Sequence, residues 1–562
     1  MKPIRTLILI ALAGPLCAQD DLKQAPAAIE KPSERGVGKP LPADSPLAPL
    51  IADSKLLVVV FTAPDCPVSK LYRPKLDRMD KEYRARGVRF LTASSSDASL
   101  TALLDARRST EVFVIDPKGV LRYRGAVDDQ YGIGYSRDAA TKNLLVDAIE
   151  ALLAGKAPAI LATEAPGCEI ERPSKPGASP LGTGKIGITF HKDVAPIFQR
   201  RCVDCHRPGE IGPFSLLSYE TAKSKGRTIK EAVTKKRMPP WHADPKHGEW
   251  SNDRHLSSQE IETISAWVDA GAPQGSAKDA PAPRRFAEGW LIGTPDAVYK
   301  MPRAQKIPAE GTVPYKYFFV RTDLKEDTWV QAIEVRPGAR QQVHHILVFL
   351  QYPLNRLKEQ PPLDGGLFHG YFGIMVPGES PMIFPEGMGK KVPAGATLVF
   401  QIHYTTNGEA AEDVTQVGLV FAKKPVTREV VTRGIVNAMI RIPAGAPDHR
   451  EEASFTFEND SKILSLLPHM HIRGKAFKYT AIHPDGKEEV LLDVPVYDFN
   501  WQTCYRLKEP KLVKKGTKIQ AVAHFDNSKG NPGNPDPTKE VRFGQQSWEE
   551  MLIGYMDFVK VD

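Results

Sequence analysis

Apolar and polar positions follow two different rhythms along this chain. In the first part, short continuous apolar runs alternate with helical periodicity. Residues 55–61 (KLLVVVF) form a run rich in β-branched side chains and predict a buried strand. A turn with Pro64 and Cys66 follows, then a helical pattern through Tyr83 and a second strand over 87–96. Two short runs, 111–116 and 120–126, flank Pro117-Lys118-Gly119 and predict a hairpin. An amphipathic pattern over 143–153 adds a helix. Residues 187–275 are helix-prone and end in a helix over 258–270. From about residue 287 the rhythm changes to short alternating strands broken by Pro, Gly, Asn and Asp, among them 317–320, 330–335, 346–350, 397–404 and 417–421. Strands at that density predict two packed β-sandwiches.

Composition divides the chain at the same places. With 562 residues, and roughly 150 per domain as a prior, several cores are expected. Lys2 and Arg5, the apolar run 7–16 and Ala18-Gln19 have the order of a secretory signal, so residues 1–18 are expected to be cleaved and the chain to be periplasmic or secreted. Stretches rich in Pro, Ala, Gly, Ser and Lys mark an exposed lead-in at 19–50 and linkers at 164–186 and 276–288. Between them lie units at 51–163 and 187–275, then two sandwiches at 289–425 and 426–562. No later stretch is long and apolar enough to predict a membrane span. The formal charge of +8 is spread without Lys/Arg blocks interleaved with aromatics, which argues for a solvated basic surface and against nucleic-acid binding.

Cys202-Val203-Asp204-Cys205-His206 offers two cysteines for thioether bonds and a proximal histidine within one turn, so one covalently attached c-type haem is expected. Met238, in a Pro-backed loop, is the candidate sixth ligand, with His242 as its rival. The segment resembles bacterial cytochrome c domains. Outside this motif and the signal, Cys66, Cys168 and Cys504 remain, an odd number that excludes a disulfide framework and allows at most one bridge, Cys66 with Cys168.

The β-rich part carries the second chemistry. His469 and His471 stand two apart after an apolar run, a spacing that puts both rings on one face of a strand and turns Met470 away. Met551 could complete that site, because a thioether is soft and selects Cu(I) over Zn(II) or Fe(II). His344 and His345 are adjacent, so chelation by both requires a bulge, with His403 as the natural third ligand. Three imidazoles alone would equally suit zinc. A tandem His, a Q-x-H-Y strand, an H-x-H strand and a late E-M, in that order, resemble the copper type II, ascorbate-dependent monooxygenases, the family of peptidylglycine α-hydroxylating and dopamine β-monooxygenase. Residues 498–502 and Tyr505 are also similar to the strand that follows H-x-H in that family.

That resemblance implies two jelly-roll sandwiches with one copper ion on each, facing one another across a solvent-filled cleft. Copper at His344, His345 and His403 would store and relay an electron. Copper at His469, His471 and Met551, the catalytic set, would bind O2 and hydroxylate a C–H bond. The expected partners are a small-molecule or peptide substrate, O2 and an extracytoplasmic electron donor. The N-terminal unit resembles thioredoxin-like redoxin domains, with Cys66 at a helix start as a candidate redox thiol. Ser69 stands where the second cysteine of C-x-x-C would be, and Thr110 where a cis-proline is typical, so a scaffold role is favoured there. The chain is therefore expected to be an exported oxidoreductase, a monooxygenase fed through its own haem. The alternatives are a copper-binding electron carrier without hydroxylase activity and a thiol-redox protein using Cys66.

Overall fold

The computed structural model describes residues 23–170, 187–360, 367–378 and 381–561. The expected signal, residues 1–18, and most of the 164–186 linker lie outside them. The N-terminal unit is built on Leu56–Thr62, whose first six residues are buried. It pairs in parallel with Val88–Ser94 and antiparallel with Val112–Ile115, which pairs in turn with Leu121–Gly125. Pro67–Arg84 covers this sheet with Ser69, Tyr72, Met79 and Tyr83, one face of an 18-residue helix.

Two stretches read as exposed are packed here. In the lead-in, Val37 and Leu47 join the apolar cluster of Ile51, Leu57, Val59 and Phe113. Residues 164–170, read as linker, run along the same unit with Ala165 and Ile170 buried. In both, a few apolar anchors spaced along Pro- and Lys-rich sequence are enough to hold the backbone down.

The helical unit comprises Ala195–Arg201, Tyr219–Ser224, Gly226–Thr234 and Ser258–Asp269 around Phe198, Ile229, Ile264 and Trp267. Ser257 and Glu260 form a capping box that starts the last helix.

The β-rich part is two sandwiches that share a sheet. In that sheet the order is Tyr505–Val513, Ser461–His469, Ile553–Lys560, Arg428–Val436, Met388–Val392, Thr328–Arg336, Gln416–Phe421 and Ala297–Lys300. A short parallel pairing, Met388 with Arg428 and Gly389 with Glu429, welds the halves together. Over one half lies the sheet containing Val343–Gln351 and Thr397–Tyr404. Over the other lies the sheet containing Gly474–Ile482 and Lys518–Phe525. Each pair encloses its own apolar core. Among the described residues no helix is long and apolar enough to cross a membrane.

The helical unit is stitched to the second sandwich by backbone. Ser251 donates to Arg506 O at 2.9 Å and Lys508 to Glu249 O at 2.8 Å, so residues 249–251 flank the strand Tyr505–Val513 as an added edge. Asn252 Nδ2 donates to Cys504 O at 2.7 Å, and its Oδ1 accepts from Arg506 N at 3.1 Å. Asn252→Ala is expected to weaken this docking by about 1 kcal/mol. Faster hydrogen exchange confined to the amides of Ser251, Arg506 and Lys508 would show it.

Candidate metal centre

The tandem histidines sit at a break in the ladder. Val343 pairs with Tyr404, but His345, not His344, pairs with His403, so the register shifts at His344. That bulge lets neighbouring residues turn toward one point. The rings of His344, His345 and His403 have centroids 5.0 to 5.3 Å apart, and one ligand nitrogen from each lies within 4.8 Å of the others. Phe499 stacks on His344 with centroids 4.8 Å apart, and Tyr315 packs against His403 at 4.9 Å.

His469 is the last residue of its strand, and His471 lies beyond it, in the turn to Gly474. Two neighbours, not strand geometry, therefore aim His471. Its backbone N–H donates to Glu550 Oε2 at 2.8 Å, and Met470 is held by Tyr497. Met470 is fully buried in the second core, turned away from the site as expected. Pro468 pairs with Gly554 and His469 with Ile553, so continuing that register sets His471 opposite Met551. Met551 precedes its strand instead of opening it, and lines the same cavity as both histidines.

The outer nitrogens of this pair are tied down. His469 Nδ1 lies 2.7 Å from Gln502 Oε1, and His471 Nδ1 lies 3.2 Å from Glu549 O. Both acceptors place the proton on Nδ1 and leave Nε2 with its lone pair, the arrangement that orients a metal-binding imidazole. Burial, reinforced by neighbouring imidazoles, pulls His344 down to about 4 and His471 to about 3, and puts His345 and His403 well below their usual range. Burial also takes His469 down to about 4, against the pull of Gln502. All five rings are therefore neutral at pH 7. His344 Nε2, His403 Nδ1 and His471 Nε2 are buried without a hydrogen-bond partner. A neutral, desolvated, nitrogen-rich set with a thioether beside it fits copper.

The two sets are close together. His345 and His469 have ring centroids 6.4 Å apart, and the cavity between the sets is about 30 Å³, walled by Leu347, Leu367, Ile553 and Tyr555. In place of the solvent-filled cleft implied by the family resemblance, the two sets meet at a narrow seam lined by Tyr315, Gln401 and Gln545 as well as by apolar side chains. Residues 498–502, expected as a strand, form a loop starting at Tyr497-Asp498. Tyr315 and Gln545 carried no sequence signal of their own, and Glu550 was visible only as the first residue of the late E-M pair. Glu550 is fully buried, and burial pushes its carboxyl up to about 7 against the N–H groups of Arg473, His471 and Met551.

The haem motif has a defined geometry as well. Cys202 caps the helix Ala195–Arg201, and the N–H groups of Cys205 and His206 both donate to its carbonyl, at 3.1 and 2.9 Å. His206 Nδ1 lies 3.1 Å from Phe214 O, which leaves Nε2 as the ligand atom. A Cβ on Gly212 would come within 2.6 Å of Cys205 O and 2.9 Å of His206 Nδ1, so only glycine lets the loop close over the motif. Burial pushes the Cys202 thiol up to about 12 and raises Cys205 too, unlike a reactive dithiol. These residues fit haem attachment. Met238 is half-buried in the turn after the helix Gly226–Thr234. His242 lies instead against the second sandwich, with Asp498, Trp501 and Tyr505 around it. Cys66 and Cys168 are both unbridged, and the Cys168 N–H donates to Cys66 Sγ at 3.2 Å.

No family model matches the chain. It is similar to DBH-like monooxygenase protein 1 of Gallus gallus, 20% identical over 192 residues, a match covering 31% of this chain and 30% of that protein. The match therefore spans under a third of the relative's length. Among solved structures, a hypothetical protein from Sinorhizobium meliloti 1021 is 20% identical, with 22% of this chain and 84% of that one covered at a TM-score of 0.21. The major capsid protein P2 of bacteriophage PM2 is 10% identical, with 47% and 97% covered at a TM-score of 0.23. At such scores these two likenesses carry no argument.

Two outcomes follow from this geometry. Gln502→Leu removes the acceptor at His469 Nδ1 and is expected to weaken copper binding at His469 and His471 about 10- to 100-fold, leaving the His344 cluster unchanged. Copper titration followed by electron paramagnetic resonance resolves the two. Protons compete with metal only where the folded imidazoles titrate. Copper retention is therefore expected to stay level from pH 8 to about 5 and to fall as the pH drops through about 4, measured by equilibrium dialysis.

Proposed function

We propose that this chain is an exported copper-dependent monooxygenase that hydroxylates a C–H bond with O2 and carries its own electron-supplying haem unit. The observation that carries this reading is the convergence of His344, His345, His403, His469, His471 and Met551 on one buried seam, with unpaired nitrogens in both sets. The similarity to a DBH-like monooxygenase supports it. Copper in the two sets would supply one-electron redox and O2 activation, and haem on Cys202, Cys205 and His206, with Met238 as sixth ligand, a one-electron carrier.

The protein's own groups prepare that chemistry. Gln502 and the Glu549 carbonyl keep His469 and His471 in the tautomer that offers Nε2. Glu550 fixes the backbone of His471 and Met551 together. Leu347, Leu367 and Ile553 keep bulk water from the seam, which strengthens every electrostatic interaction inside it. The partners on this reading are a small-molecule or peptide substrate, O2 and an extracytoplasmic electron donor. The parallel-then-antiparallel sheet of the N-terminal unit supports a thioredoxin-like domain there.

A second reading, a copper-holding electron carrier, is favoured by one observation. A cavity of about 30 Å³ admits a water or a diatomic molecule but no organic substrate without movement of Leu367 or Gln545. Met551→Ile separates the two. In an enzyme, oxygen uptake under ascorbate falls by roughly 100-fold while copper at the His344 cluster is kept. In a carrier, the parent protein takes up no O2 catalytically and the substitution lowers only copper affinity.

A further inference from the structure

The missing partner of Cys66 is supplied from outside the α/β unit. Ser69, at the position a C-x-x-C motif would give to its second cysteine, is committed to structure: its hydroxyl donates to Ser109 O at 2.7 Å and accepts from Ala63 N at 3.1 Å. The sulfur beside Cys66 belongs instead to Cys168, 102 residues later. Residues 168–170 pair with the chain at 107–109. Ser109 N donates to Cys168 O at 3.0 Å and Ile170 N to Arg107 O at 2.9 Å. Cys168 N is shared between Ser109 Oγ at 3.1 Å and Cys66 Sγ at 3.2 Å. Cys66 is wholly buried at the N-cap of Pro67–Arg84, whereas Cys168 is partly exposed. Of the two residues, Cys168 is the more exposed.

We propose that Cys66 and Cys168 are a thiol–disulfide exchange pair whose substrate is a small external disulfide, with Cys168 as the entry sulfur and Cys66 as the resolving one. The hydrogen bond from the Cys168 thiol, helped by Ser109 and by the Ser69 and Cys168 backbone, draws the Cys66 thiol down to about 6 against the effect of burial, while the same bond and burial hold Cys168 up. The pair therefore shares one proton near neutral pH, the other having gone to solvent.

At rest the shared proton sits on Cys168; its transfer to Cys66 frees the Cys168 thiolate, which attacks the external S–S bond, forms a mixed disulfide and expels one thiolate. That thiolate takes the proton from Cys66. The Cys66 thiolate then attacks Cys168 Sγ, closes the Cys66–Cys168 bond and expels the second thiolate, which is protonated from solvent. The external disulfide gains two electrons and becomes two thiols, and the pair loses two electrons.

The pair also faces the helical unit. Asp65, next to Cys66, meets Lys225 at 2.5 Å, and the carbonyl of Glu169, next to Cys168, accepts from Thr228 Oγ1 at 3.4 Å. Closing the disulfide fixes both of those neighbours to one point.

The test uses the full-length protein in buffers of stepped reduced-to-oxidised glutathione ratio at pH 7, quenched in acid, alkylated and mapped by peptide mass. A Cys66–Cys168 cross-link that appears and disappears reversibly at one ratio, together with a stable glutathione adduct on Cys168 in Cys66→Ser, is the expected result. Absence of the cross-link at every ratio overturns the proposal. So does a cross-link that reduced glutathione cannot reverse in the folded protein, which would make it a fixed staple. An adduct on Cys66 in Cys168→Ser as fast as that on Cys168 in Cys66→Ser reverses the assigned order and overturns it as well. Copper and haem content do not enter these readouts.

Discussion

Five imidazoles whose rings stand 5.0 to 6.4 Å apart cannot share a buried seam if they are charged. Desolvation and mutual repulsion both act against protonation, so the seam holds them neutral, with His344 Nε2, His403 Nδ1 and His471 Nε2 left without a hydrogen-bond partner. The β half is organised around that requirement. A sheet running through both sandwiches keeps the two ligand sets at fixed separation, and the weld at Met388 and Arg428 removes the freedom two separate sandwiches would have. The bulge at His344, the acceptors at His469 and His471, and Glu550 behind the backbone of His471 each aim a ring before any metal arrives. Such preorganisation lowers the entropy lost on binding.

The loop from Asp498 to Tyr505 ties this seam to the rest of the molecule. Phe499 stacks on His344 and Gln502 holds His469. On its other side, Asn500 Nδ2 donates to Gly134 O of the α/β unit at 3.1 Å, and Cys504 O accepts from Asn252 beside the helical unit. Both N-terminal units thus press on the segment that shapes the ligand sets.

Hydrophobic periodicity located the elements well where burial is one-sided or complete. The KLLVVVF run, the hairpin around Gly119 and the strands carrying His344 and His403 all lie within a few residues of their expected places. Spacing singled out side chains that the fold brings together, because groups meeting at one point must come from few strands. Three things were not legible. Periodicity describes one element at a time, so it could not show that two sandwiches share a sheet through a two-residue parallel pairing. The 23–50 and 164–170 stretches looked like linkers because their few apolar anchors are diluted by Pro and Lys. Glu550 was visible as the residue before Met551, but its role in accepting backbone N–H groups was not, because such acceptors have no spacing rule.

The helical unit docks against the loop that carries Phe499 and Gln502. Arg254 lies near enough to Cys205 to favour its ionised form, stacks over Trp241 at 5.9 Å and donates to Gly378 O at 2.8 Å, where a Cβ would also touch Trp501. Trp501 is the neighbour of Gln502, and Gln502 grips His469. Trp241 and Trp250 close on Tyr505 at 4.9 and 5.4 Å. On the proposed function, the Cys205 motif and His469 are joined by a short series of packed aromatic and guanidinium groups, and fusing such units in one chain would replace a bimolecular encounter with a fixed local concentration.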